Sequence, residues 1–120
     1  MWLYSQSTGL LWDARRLIIA CGYSGCGDGK NRSAREAEPF VGPIPRGMWI
    51  IGDPYTSEKV GPFALPLTPT GHRALGRTDF LIHGDSLHSP GTASCGCIIL
   101  SRSIRETIHI SNDKILEVIE

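Results

Sequence analysis

Residues 80–100 read FLIHGDSLHSPGTASCGCIIL, and the rest of the chain is best read outward from them. Two short apolar runs, Phe80–Ile82 and Ile98–Leu100, bracket a polar stretch that carries glycine and proline. Runs this short, rich in β-branched residues and bounded by turn formers, read as buried strands joined by a loop. His83 then ends one strand and Cys97 opens the next. If the two strands lie side by side, an imidazole and a thiol come within reach of each other at the rim of a sheet.

The same punctuation runs through the chain. Glycine (14) and proline (8) recur every eight to twelve residues, and the segments between them are short and β-rich. GLLW and RLIIACGY flank a DAR turn and give a hairpin, with Trp12, Leu17 and Ile19 expected on the core face. Residues 24–40, SGCGDGKNRSAREAEPF, lack apolar periodicity and are expected to form a long surface loop. GMWIIGD (47–53), GPFALPL (61–67) and TDFLIHG (78–84) read as three further strands, with Pro66 pushing the middle one toward a sheet edge. In SRSIRETIHI, Ile104 and Ile108 are four apart and Ser103 and Glu106 have capping-box spacing, which predicts one short helix. KILEVIE closes the chain as a strand.

One domain accounts for all 120 residues, a length that buries roughly two-thirds of the unfolded chain's surface. Twelve basic and twelve acidic side chains cancel, so no net field steers the protein to nucleic acid or anionic lipid. No apolar run approaches the ~20 residues of a membrane span. The N-terminus lacks a basic segment followed by a long apolar one, so no Sec-type signal is expected. Four cysteines are even in number, but composition leaves the compartment open.

A cysteine attacks as its thiolate, so a nucleophilic cysteine needs a neighbouring base. Of the two candidates, Cys97 follows Gly96 and precedes an apolar strand, whereas Cys95 follows Ser94. A glycine before the nucleophile permits a tight turn and leaves the N–H groups of Gly96 and Cys97 to hold an oxyanion. His88 is a second histidine nearby, but DSLHSPG reads as exposed loop. Asp85 is a candidate to orient the imidazole, as is a backbone carbonyl. Zinc ligation by Cys21, Cys26, Cys95 and Cys97 fits poorly, because C-x-C departs from the usual ligand spacing. Neither metal nor cofactor is expected.

The order histidine, loop, Ser-x-Gly-Cys resembles the L,D-transpeptidase catalytic domain, whose motif is a histidine, a loop, then Ser/Thr-His-Gly-Cys. His83, Ser94, Gly96 and Cys97 match its positions, and VGPIPRGMWIIG (41–52) is similar to its Pro-x-Gly-aromatic strand entry. MWLYSQSTG, GYSGCGDGKN, VGPIPRGMW, the 80–100 stretch and SIRETI together resemble one branch more closely: the type VI secretion L,D-transpeptidase effectors, which are antibacterial toxins. The chain departs from the general motif at Cys95, where relatives keep histidine, and at Ile99, where arginine is common and for which Arg102 is a candidate substitute. Cys26 is a further departure.

The resemblance implies a mainly β fold over residues 1–120, a compact L,D-transpeptidase-like β-sandwich or barrel with one or two short helices. It implies Cys97 as nucleophile, His83 as base, Gly96 at the oxyanion and Ser94 as a support. Gly84 and Asp85 become candidates to face substrate, and Arg46 and Lys30 to meet a stem-peptide carboxylate. Cys26 and Cys95 become a candidate disulfide in an oxidising target compartment. The implied reaction cleaves the bond before the terminal D-Ala of peptidoglycan tetrapeptide stems, through a thioester resolved by water or a free D-amino acid. Implied partners are the secretion apparatus and a cognate immunity protein, with synthesis in the cytoplasm and action in a target cell's periplasm. Papain-like wall peptidases, with cysteine before histidine, run in the opposite order. The rival from outside enzymology is a catalytically inactive wall-binding or structural domain of the same fold.

Overall fold

The computed structural model describes residues 1–120. Ten strands follow in chain order, with long connections between β4 and β5 and between β8 and β9: β1 (Trp2–Ser5), β2 (Leu10–Trp12), β3 (Ile18–Cys21), β4 (Tyr23–Ser24), β5 (Gly47–Ile51), β6 (Tyr55–Ser57), β7 (Gly61–Thr70), β8 (Leu81–His83), β9 (Ile98–Ile99) and β10 (Ile115–Ile119). One helix, α1 (Arg102–Ile110), precedes the last strand. The mainly β class expected from the sequence is therefore what the structure shows. The strands form one continuous mixed ladder, β3-β2-β1-β10-β5-β7-β8-β9-β4, with β6 branching from β7.

Two parallel pairings give the ladder its shape. The N-terminal β1 runs beside the C-terminal β10, with Trp2 opposite Leu116 and Tyr4 opposite Val118. Alternation along both strands sends these four side chains inward, where all are buried. They join Trp49, Leu65, Ile82, Ile98 and Ile108 in a single core. Trp49 sits at its centre, edge-on to Phe80 at 5.1 Å. The second parallel pair, β8 with β9, carries the candidate chemistry. Its core residues Ile82 and Ile98 lie opposite each other, and truncating either to alanine costs about 2–5 kcal/mol.

Helix α1 forms for the reason its spacing suggests. Ile108 is buried and Ile104 half-buried against the core, while Arg102 and Glu106 pair across one turn on the outer side at 3.4 Å. The expected capping box does not form. The N-cap is Ser101, without a side-chain cap bond, and Ser103 lies inside the first turn, its carbonyl accepting from the Thr107 hydroxyl at 3.0 Å.

Three other expectations are corrected. Strand β7 is ten residues long and central, pairing with β5, β6 and β8. Pro66 is accommodated because its carbonyl accepts from the Gly52 N–H at 2.8 Å, so the missing donor is not required there. Leu17 is 52% exposed and the hairpin's core residue is Leu11, because a bulge between Leu11 and Trp12 shifts the register of β2 against β3. Residues 24–40 are only partly a surface loop: they contain single 3-10 turns at Gly27–Gly29 and Ser33–Arg35, and Ser24, Gly25 and Gly29 are buried.

Candidate active site

The parallel pairing sets His83 opposite Ile99, so Cys97 enters β9 level with Leu81, two residues back from the histidine. The thiol sits at this strand entry. The Leu81 N–H donates to Cys97 Sγ at 3.3 Å, and the thiol donates to the Asp79 carbonyl at 3.6 Å. Burial pushes the Cys97 thiol up to about 11, so at neutral pH it rests protonated.

His83 is only 2% exposed. Its Nδ1 lies 2.8 Å from the Gly84 carbonyl, and since a carbonyl only accepts, Nδ1 carries the hydrogen and Nε2 keeps its lone pair. Burial holds the imidazole below its usual range, outweighing the Gly84 bond, so the ring is neutral at pH 7. Neither ring nitrogen is hydrogen-bonded to the thiol in this resting arrangement. His83 also helps to line a surface cleft of about 360 Å³, with Gly84, Asp85, Ser86, Thr92 and Lys59.

A backbone carbonyl, not Asp85, thus orients the imidazole. The Asp85 carboxylate instead receives the Tyr23 phenol at 2.6 Å and the N–H groups of Ser86 and Gly91 at 2.8 and 3.1 Å. Burial opposes ionisation of Asp85, but these donors prevail and hold its carboxyl below the usual range. Asp85 is therefore a charged staple of the loop after His83.

The turn before Cys97 is built by Ser94, Ser24 and Arg77. Ser94 Oγ donates to the Cys97 carbonyl at 2.6 Å and accepts from Gly25 and Gly96 N–H at 2.9 and 3.0 Å. Ser94 supports the turn and makes no bond to His83. Its grip on Gly96 corrects one expectation: the Gly96 N–H is engaged, so it does not stand free beside that of Cys97. Ser24 Oγ donates to the Gly96 carbonyl at 2.9 Å. Gly96 has φ +140, and a Cβ there would lie 2.5 Å from Arg77 Nη2, so only glycine fits the position.

Arg77 is the element that sequence reading missed. Its buried guanidinium donates to the carbonyls of Glu36, Pro43, Gly42 and Cys95, at 2.6, 2.8, 3.0 and 3.2 Å. It ties the segment before β5 to Cys95, two residues before Cys97. No local pattern in GRTD signals this, because the four carbonyls come from distant parts of the chain.

Other candidates lie elsewhere in function. Arg46 pairs with Glu36, Nε to Oε2 at 3.0 Å, and Lys30 donates to the Gly91 carbonyl at 2.9 Å while lying 4.3 Å from the Tyr23 ring centre. His88 is exposed, as expected. Arg102 covers Phe63 at 4.5 Å, and the guanidinium that bonds to the turn before Cys97 is that of Arg77. All four cysteines are free thiols, so the Cys26–Cys95 bridge is not formed; both thiols face solvent.

A neutral imidazole with an open Nε2, a protonated thiol one strand away and a rigid glycine turn before it make a set suited to base-assisted acyl transfer. No curated protein matches the chain. The family model described as Tlde1 domain matches residues 19–118, spanning every one of these residues, and the chain belongs to that family, the type VI secretion L,D-transpeptidase effectors.

Proposed function

We propose that the protein is a cysteine acyltransferase that removes the terminal D-Ala from peptidoglycan tetrapeptide stems and exchanges it for other D-amino acids. The observation that carries this reading is the parallel placement of His83 and Cys97, with the imidazole tautomer set by Gly84 so that Nε2 is the open nitrogen. Family membership makes the chain a type VI effector with L,D-transpeptidase-like activity directed at the wall. The cysteine mechanism and the choice of bond are our reading.

In the first step His83 Nε2 takes the thiol proton as Cys97 Sγ attacks the carbonyl carbon. In this reading the Cys97 N–H meets the developing oxyanion, because the Gly96 N–H is held by Ser94. The carbon–nitrogen bond breaks, His83 returns its proton to the departing amine, and a thioester remains. Water then gives carboxypeptidase activity; an amino acid gives exchange. Delivery to the periplasm of a target cell, and neutralisation there by an immunity protein that covers the site, follow from the same reading.

The raised thiol and the absence of a His83–Cys97 hydrogen bond favour a second reading, an inactive domain that retains the fold. One experiment decides between them. Purified tetrapeptide muropeptides are incubated with the protein, with and without a D-amino acid, and the products weighed. Tripeptide and exchanged tetrapeptide are expected, both abolished by Cys97→Ala. Unchanged muropeptides establish the inactive reading, and full cleavage by Cys97→Ala overturns the assignment of the nucleophile.

A further inference from the structure

The cleft beside His83 contains a cation that nothing else in the protein uses. Of the three lysines, Lys30 gives its ammonium to the Gly91 carbonyl and Lys114 gives its own to the His109 carbonyl at 2.6 Å. Lys59 is exposed, forms no ion pair or side-chain hydrogen bond, and lines the same cleft as His83 and Asp85. The cleft walls therefore present one unpaired positive charge, one negative charge immobilised by Tyr23, Ser86 and Gly91, and the hydroxyls of Ser86 and Thr92. Cys97 is not among the lining residues. The cavity thus lies on the histidine's side of the reacting pair.

We propose that this cleft is an amino-acid subsite, in which Lys59 receives the α-carboxylate and Asp85 attracts the ammonium of a zwitterionic amino acid beside His83. The assignment rests on the acyl-transfer reading above and names the site for its departing and incoming group. In that chemistry the side of the nucleophile that holds the general acid also holds the leaving amine, and the reverse step places the acceptor amine there too. Both are the amino group of an amino acid whose carboxylate is free, which calls for a cation on the wall of the same cleft. Lys59 is the cation that lines it.

The exchange step balances as follows. The bound ammonium first loses a proton to water. The neutral amine attacks the thioester carbonyl, the carbon–sulfur bond breaks as the amide bond forms, and the amine's second proton passes through His83 Nε2 to the Cys97 thiolate. The amide and the free thiol are the only products. An acceptor without the carboxylate can react but is held more weakly.

The test uses the isotopically labelled full chain and two probes, D-alanine and D-alaninamide, titrated separately while backbone amide shifts are recorded. D-Alanine is expected to shift Val60, Ser86, Thr92 and Ala93 and to bind about fivefold tighter than the amide, the size of a partly solvated ion pair. Lys59→Ala, whose spectrum shows whether it folds, is expected to bind both probes equally. Equal binding of the two probes by the wild-type protein, or an unchanged preference in Lys59→Ala, overturns the subsite. Failure of the muropeptide assay bears instead on the acyl-transfer reading, because the titration needs no turnover.

Discussion

Arg77 and Cys95 are joined by a 3.2 Å hydrogen bond from guanidinium to carbonyl, across eighteen residues of sequence. The same nitrogen reaches the Gly42 carbonyl at 3.0 Å, so one planar cation fixes the turn before Cys97 relative to the segment entering β5. Lysine cannot replace it, since a single ammonium cannot span four carbonyls in a fixed fork. Arg77→Lys is expected to lose about 2–4 kcal/mol of stability, because buried carbonyls lose charged donors. Urea denaturation measures this, and muropeptide cleavage should fall at least tenfold even well below the unfolding midpoint.

Gly96→Ala tests the turn itself. The substitution meets a positive φ of +140 and a Cβ site 2.5 Å from Arg77 Nη2 and 3.1 Å from Phe80. Backbone strain of about 1–3 kcal/mol adds to that clash. Loss of activity is expected together with a lowered melting temperature. Gly61→Ala is a useful contrast, having φ +90 with open space around its Cβ; it should lose some stability by strain alone and keep activity.

The placement of His83 and Cys97 on neighbouring strands was more legible in the sequence than the scaffold around them. His83 and Cys97 stand at the ends of apolar runs whose β character is local, so their placement on adjacent strands could be read from residues 80–100. The helix around Ile104 and Ile108 was legible for the same reason. Strand β1 was not, because WLYS is four residues long and becomes a strand by pairing with β10 at the far end of the chain. Leu17 misled because a bulge changes which face a residue takes, and a bulge has no signature in LLWDARRL. Pro66 misled because the rule against central prolines concerns the missing donor, and here only its acceptor is used. Arg77 gave no signal at all: a buried arginine is defined by carbonyls that only the folded chain assembles.

The resting charges of the pair predict a pH profile. Burial holds the His83 imidazole below its ordinary range, so the acid limb of D-Ala release should lie at lower pH than an ordinary histidine would give. The Cys97 thiol is pushed up to about 11, so iodoacetamide should label it at pH 6 more slowly than exposed Cys21, Cys26 and Cys95. Fast labelling of Cys97 at that pH sinks the neutral-pair description. Stability follows with opposite signs. The depressed His83 gives a contribution that is full above 6.5 and lost as pH falls through its folded value. The raised Cys97 gives one that is full below 9.0 and lost as pH climbs toward about 11. Thermal melts across pH 5–11 resolve both limbs, and Cys97→Ala should flatten the alkaline one.

Tyr23 links the long N-terminal segment to the loop after His83. Its phenol donates to Asp85 at 2.6 Å and accepts the Ala93 N–H at 2.9 Å, and burial, ahead of the Asp85 bond, pushes it up to about 12. Tyr23→Phe keeps the ring under the Lys30 ammonium and removes only the hydroxyl, so it isolates these two bonds. A charged acceptor makes such a bond worth about 1.5–3 kcal/mol, and the two backbone donors to Asp85, from Ser86 and Gly91, remain. A stability loss of about 1–2 kcal/mol is expected by urea denaturation. Because Ala93 leads into Ser94 and Asp85 follows Gly84, the loosened loop should raise KM for tetrapeptide more than it lowers kcat. An unchanged KM with unchanged stability would show that the staple does not govern the cleft, and hydrogen exchange at Ser86 and Gly91 provides the independent readout: faster exchange in Tyr23→Phe is expected at both.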